Sequence, residues 1–263
     1  TAATITDDTD VPAGTHTYTV ICYGEGDSKG ESASADVFVG YSAPVAPTAI
    51  TVKETGNLGE VTVTWNAPAT DTDGRLLTAE ALSYTLLDKT GAVVKEGIKG
   101  TTETFRALDE TDHNFVQYLV KAVTEGGESA LCKSALVPVG TPCATPWKES
   151  FAGRAVSSPI GTAKIEGDEA WMIISTDTDY GINPADNDGG MAYLEGYSNT
   201  KSALFTGKID LADLPSPALT FYVYNYMTND PNINTIEVQV SNGDGFATLQ
   251  TVVIADTGEE NQW

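Results

Sequence analysis

Gly59-Glu-Val-Thr-Val-Thr-Trp65 decides how the middle of this chain folds. Its apolar and polar residues alternate strictly. On an extended backbone successive side chains point to opposite faces, so Val61, Val63 and Trp65 share one face and Thr62 and Thr64 the other. Asn66-Ala-Pro68 then ends the strand, because proline cannot donate to a ladder.

The same texture continues on both sides. Ala49 to Val52 forms a first short strand. Leu82-Ser-Tyr-Thr-Leu-Leu87, the turn Asp88-Lys-Thr-Gly91 and Ala92-Val-Val-Lys95 predict a hairpin. Thr101 to Phe105, Phe115 to Thr124 and Ala130 to Val139 supply further strands, the last two separated by Glu125-Gly-Gly-Glu-Ser129. Short strands with tight turns and no helical period predict an all-β sandwich over residues 44–140.

Upstream, His16 to Tyr23 places Tyr18, Val20 and Cys22 on one face. Gly24-Glu-Gly-Asp-Ser-Lys-Gly30 breaks the strand, and Ser32 to Val39 supplies a partner. Two strands cannot bury a face alone. Residues 1–43 are therefore expected to be the C-terminal part of a sandwich domain whose earlier strands precede Thr1. Tyr41-Ser-Ala-Pro-Val-Ala-Pro47 reads as a stiff linker.

Trp65 in an early strand, Tyr84 in the next, and Tyr118 before Val123-Thr-Glu-Gly-Gly-Glu-Ser129 resemble a fibronectin type III module. Tyr18 before Gly24-Glu-Gly-Asp27 repeats the late part of that pattern. The resemblance covers residues 1–140 and implies tandem immunoglobulin-like sandwiches of a spacer or adhesion type. The Arg-Gly-Asp tripeptide is absent, and Asp73-Gly-Arg75 is only its reverse.

After Gly140-Thr-Pro142 the texture changes. Trp147-Lys-Glu-Ser-Phe151 opens a new unit, Ala170 to Ser175 is an apolar strand, and Asp177-Thr-Asp179 reads as a solvated acidic loop. Asp186-Asn-Asp-Gly-Gly190 forms a carboxylate-rich turn before the strand Met191 to Glu195, and Ser202 to Thr206 makes another. Ala218 to Met227 predicts a long strand with Leu219, Phe221 and Val223 on one face and Tyr222, Tyr224 and Tyr226 on the other. Thr235 to Val240, Asn242-Gly-Asp-Gly245 and Phe246 to Ile254 predict a hairpin. Glu149-Ser-Phe151, Trp171, Asp188-Gly-Gly190, Ile209-Asp-Leu211 and Leu219-Thr-Phe-Tyr-Val223 resemble, in that order, the jelly-roll group of MAM, choice-of-anchor J and cleaved-adhesin domains of bacterial surface proteins. Residues 141–263 are accordingly expected to be a partial jelly roll. Family members usually continue with strands beyond the point where Trp263 stands, and 152–169 is shorter than their opening.

Charge and chemistry narrow the function. The net charge is −23, from 14 Lys and Arg against 37 Asp and Glu, which repels nucleic acid and anionic membranes. No apolar run of roughly 18 residues offers a membrane span. Cys22, Cys132 and Cys143 include no C-x-x-C and no zinc spacing. Only Cys132 and Cys143 are near enough in sequence to consider as a disulfide, and Cys22 reads as a small core residue. The two histidines, His16 and His113, lie in the spacer-like modules, and neither a nucleophile elbow, H-E-x-x-H nor a phosphate loop occurs. A non-enzymatic chain is expected.

Calcium takes six to eight oxygens at roughly 2.3–2.6 Å, and Asp186, Asn187 and Asp188 could supply several where Gly189 and Gly190 free the backbone. An Asx turn needing no ion explains the same residues. In the resembled jelly rolls calcium sits near the opening acidic residue and a loop Asp, which implies Glu149 and Asp188, with Asp186 next. The Tyr222, Tyr224, Tyr226 stripe fits either sugar stacking or ordinary cross-strand packing. The expectation is a monomeric extracellular or cell-surface region that binds a host or neighbouring-cell protein or glycan, with a structural calcium. The alternative is an accessory spacer and carbohydrate-binding region of a secreted hydrolase.

Overall fold

The computed structural model describes residues 4–6, 11–152, 160–167, 169–175, 182–185, 189–195, 200–225, 234–241 and 246–254. The chain is all-β, and no α-helix occurs among the described residues. By internal contact it forms two compact units. The first is Thr1–Val52, Val61–Phe105 and Val116–Val137; the second is Lys53–Glu60, Arg106–Phe115 and Pro138–Trp263.

The alternating stretch folds as read. Strands β1 (Gly14–Tyr23) and β2 (Lys29–Val39) form a hairpin and are followed by β3 (Thr48–Glu54) and β4 (Glu60–Asn66). Next come β5 (Ser83–Asp88), β6 (Val93–Ile98), β7 (Thr102–Arg106), β8 (His113–Val116) and β9 (Tyr118–Thr124). The short β10 (Gly127–Glu128), β11 (Cys132–Lys133) and β12 (Val137–Gly140) complete this part. One sheet has the order β3-β4-β7 and the other β10-β9-β5-β6, with β11 also paired to β9. In β4, Val61 and Val63 are fully buried and Trp65 nearly so. The outward threonines of the same sheet bond across strands, Thr51 to Thr64 at 2.7 Å and Thr62 to Thr104 at 2.9 Å.

β9 alternates likewise, burying Tyr118, Val120, Ala122 and Thr124. Trp65 meets Tyr84 edge to face with ring centroids 5.3 Å apart, and Phe105 meets Tyr118 at 5.2 Å. Burial, with a smaller contribution from the Asp88 carboxylate, pushes the Tyr118 phenol up to about 12. Each large side chain in this core contributes roughly 1.5–3 kcal/mol by leaving water.

Two expected strands are divided. Phe115 to Thr124 splits into β8 and β9, and Ala130 to Val139 into β11 and β12. Ser134 supplies the reason. Its hydroxyl accepts the Tyr118 N–H at 3.1 Å, taking a donor a continuous ladder needs, while its own N–H goes to the Tyr118 carbonyl. β12 then pairs with β8 instead.

In the β1–β2 hairpin Tyr18, Val20 and Val37 remain accessible, and Cys22 is exposed rather than a core residue. A two-stranded hairpin has no second layer to close its apolar face, so alternation there does not produce burial. Its other face is polar, with Thr17 bonded to Asp36 and Thr19 to Ser34.

From Pro138 onward the described strands are β13 (Ile160–Glu166), β14 (Met172–Ile174), β15 (Met191–Tyr193), β16 (Lys201–Thr206), β17 (Asn234–Ser241) and β18 (Phe246–Ile254). They pair as three two-stranded ladders, β13-β16, β14-β15 and β17-β18. Trp171 stands just before β14, its indole N–H donating to the Ser202 carbonyl at 3.1 Å. Residues 218–225, expected to begin a long strand, carry no strand. Without ladder partners nothing enforces a two-faced pattern: Leu219 is 61% exposed and Tyr222 76%, although the two were expected on opposite faces. Asn225 is buried and bonds instead to Asn234 at 2.7 Å and the Ile254 carbonyl at 3.4 Å.

Candidate functional site

A dense polar constellation lies in the second unit, around Glu54. β3 ends on this residue, and β8 begins at His113 beside β12, which ends at Gly140. A parallel bridge between Cys143 and Ile209 then brings Lys208 to the same place. Glu54 Oε1 accepts the N–H groups of Gly59 at 2.7 Å and Gly140 at 2.8 Å, while Oε2 accepts from the Lys208 ammonium. Burial pushes the Glu54 carboxyl upward, but Lys208 and the two backbone donors outweigh it and hold the group below its ordinary value. This is a fully satisfied, charge-assisted arrangement.

His113 sits beside that pair. Its Nε2 accepts the Lys208 backbone N–H at 2.8 Å, and its Nδ1 lies 3.4 Å from the Cys143 sulfur. An Nε2 that accepts requires the neutral ring to carry its proton on Nδ1. Burial lowers the ring's pKa, the Lys208 charge lowers it further, and Glu54 partly opposes both. The approach is close enough that a Cβ on Gly207 would fall 2.5 Å from the imidazole. Gly140, at φ 99°, passes so near the Asp112 carbonyl that a Cβ there would sit 1.9 Å away.

A thiol beside an imidazole invites a nucleophilic reading, but the proton inventory rejects it. Nδ1 faces Cys143 with a hydrogen, not a lone pair, and Nε2 is occupied by a backbone donor, so this ring cannot deprotonate the thiol. His16 bonds to the Pro12 carbonyl at 2.7 Å.

A second polar cluster, inside the first unit, pins the segment expected to be a plain linker. Asp71 is buried, and its carboxylate accepts the N–H groups of Ser42 at 3.1 Å, Asp73 at 3.0 Å and Arg75 at 2.8 Å. Burial raises the Asp71 pKa, and these donors with the Arg75 charge more than reverse that. Arg75 also bonds the Gly40 carbonyl, Ser42 bonds Asp73, and Glu125 accepts the Tyr41 N–H at 3.0 Å. Gly126 packs so tightly on this strap that a Cβ would lie 2.0 Å from the Tyr41 carbonyl.

Of the expected calcium ligands, Glu149 is described and half-buried, its Oε1 accepting the Phe151 N–H at 2.8 Å. Asp186 and Asp188 lie outside the described residues, as does Tyr226. Gly190, at the near edge of the acidic turn, abuts Phe151 closely enough that a Cβ would fall 1.5 Å from the Phe151 carbonyl oxygen. Among the described residues no group of three or more His, Cys, Asp or Glu could hold a metal ion. Tyr222 is well exposed, whereas Tyr224 is half-buried. Cys132 and Cys143 are free thiols, which corrects the disulfide considered for them. Sequence reasoning missed Glu54, His113, Cys143 and Lys208 as a set. The only signal near them was the Ile209-Asp-Leu211 motif, adjacent to Lys208.

No family model and no curated protein matches the chain. Solved structures do match. An Fn3-like protein from Clostridium thermocellum is 23% identical over 39% of this chain and 97% of that one, with a TM-score of 0.27. The fibronectin type III domain of human fibronectin type III domain containing protein 3 is 18% identical over 41% of this chain and 95% of its own, TM-score 0.29. The FN1–FN3 domains of chicken CNTN1 match 87% of this chain and 73% of theirs at 11% identity and TM-score 0.31. These likenesses are to fibronectin type III domains; the sandwich of the β3-β4-β7 and β10-β9-β5-β6 sheets rests on its own ladders and buried face.

Proposed function

We propose that this chain is a non-catalytic, extracellular or cell-surface adhesion or ligand-binding region of a bacterial protein, whose buried polar groups hold its own connecting segments in place. The observation that carries this reading is where the chain places its buried polar groups. Asp71 and Glu54 spend their carboxylates on backbone N–H groups of connecting segments, and the ring of His113 is likewise committed to a connecting segment. Groups so occupied hold chain segments in place and are not positioned to exchange protons with a bound substrate. A screen of the purified chain against general esterase, peptidase and glycosidase substrates is expected to show no turnover above buffer. Turnover abolished by His113→Gln would overturn the reading.

The calcium belongs to the same proposal. Glu149 with Asp186 and Asp188 would tie the acidic turn to the start of the C-terminal part, and the close approach of Gly190 to Phe151 supports that pairing. Bound calcium stabilises only the folded state, so removing it should lower the melting temperature. A melt unchanged by chelator, together with no metal by elemental analysis, would end the calcium assignment.

A further inference from the structure

We propose that His113 makes the Glu54–Lys208 cluster an acid-releasable latch, in which protonation at Nε2 expels the Lys208 N–H and frees residues 207–210 from the start of β8. The geometry requires a neutral ring. Nε2 is the acceptor of a backbone N–H at 2.8 Å, so a proton arriving there sets two hydrogens against each other in one bond. Nδ1, already protonated, points at the Cys143 sulfur and cannot relieve the conflict. The ring is wedged against Gly207, and Lys208, whose N–H it holds, accepts the Cys143 N–H on its own carbonyl at 2.9 Å, so losing the ring's bond also weakens the hold on the Cys143 amide.

The charged and titratable groups acting on the ring come from three segments. They are the Lys208 ammonium from the 207–210 segment, the Glu54 carboxylate from the end of β3, and the Cys143 thiol. The lysine opposes a second positive charge; Glu54 favours one but is already engaged by Lys208 and two N–H groups.

The direction in pH follows from linkage. The folded ring titrates below its ordinary value of 6.5, so its contribution is full above that pH and is lost as pH falls toward the folded value. Glu54 loses its charge only below its ordinary 4.5, which leaves the window between to the histidine.

Hydrogen exchange on the full chain tests this, with rates corrected for the intrinsic pH dependence of exchange. Between about pH 7.5 and 5.5, opening at Lys208 and Cys143 should increase by up to about tenfold relative to Val120 and Ala122 in β9. His113→Gln should flatten that dependence. Should this variant fail to fold, the imidazole signals of the wild-type chain decide instead. Titration of His113 that tracks the loss of Lys208 protection supports the latch. Titration with Lys208 protection unchanged, or a pH-independent ratio in the wild type, overturns it.

Discussion

Trp65 and Glu54 stand near each other in sequence and show two different ways a residue acts here. Trp65 contributes area: it is 3% exposed and packs edge to face on Tyr84. Trp65→Ala is expected to cost about 3–5 kcal/mol of unfolding free energy in denaturant titration, as large-to-small core changes do. Glu54 contributes charge-assisted hydrogen bonds at a joint, so Glu54→Ala should cost roughly 1.5–3 kcal/mol by leaving the Gly59 and Gly140 donors and Lys208 without their acceptor. Tyr222, exposed and outside any strand, should tolerate alanine without a change in melting temperature. Loss of binding to a glycan array with Tyr222→Ala would support the sugar reading, and silence of the wild type across the array would count against it. The role of Trp65 is legible from alternation because one strand suffices to define its face. That of Glu54 is not, since its partner Lys208 lies 154 residues away and no local periodicity records such a contact.

At the scale of elements, alternation predicted burial wherever a second layer existed. It did so for β4 and β9, whose sheets meet through the Trp65–Tyr84 and Phe105–Tyr118 ring contacts. It overstated burial in β1, where Tyr18 and Val20 stay accessible and Cys22 is exposed at the register shift between Ile21 and Tyr23, and the hairpin gains no third strand among the described residues. It also overstated order at 218–225, where a strongly β-prone run carries no ladder among the described residues. Propensity reports fit to a pleated surface, and the surface has to be there. The connecting segments carry a pH prediction of their own. Asp71, Asp88, Glu54 and Glu60 all have carboxyls held below their ordinary values by donors at turns and joints. A depressed folded value gives stability that is present above the unfolded value and lost as pH falls through the folded one. These carboxylates should therefore steepen the fall of the urea midpoint below about pH 4.5, and Asp71→Asn should shrink that part of the decline.

For the whole molecule, the acidic composition and the all-β texture were readable in advance, and so was a sandwich built around β4 and β9. The joints were not. Tyr41 to Pro47 reads as a Pro-punctuated spacer, yet Ser42 is bonded to Asp71 and its carbonyl accepts the Thr124 hydroxyl at 2.8 Å. A linker and a docked strap have the same composition, and only the buried acceptor waiting in another loop distinguishes them. Connecting segments pinned within each unit are the central claim, and residue-resolved hydrogen exchange of the full chain at neutral pH tests it most directly. The amides of Ser42, Gly59, Gly140 and Lys208 should be protected to within about tenfold of Val120 and Ala122, since all have buried or half-buried acceptors. Exchange of these four amides at the rate of free peptide, with β9 still protected, would contradict it.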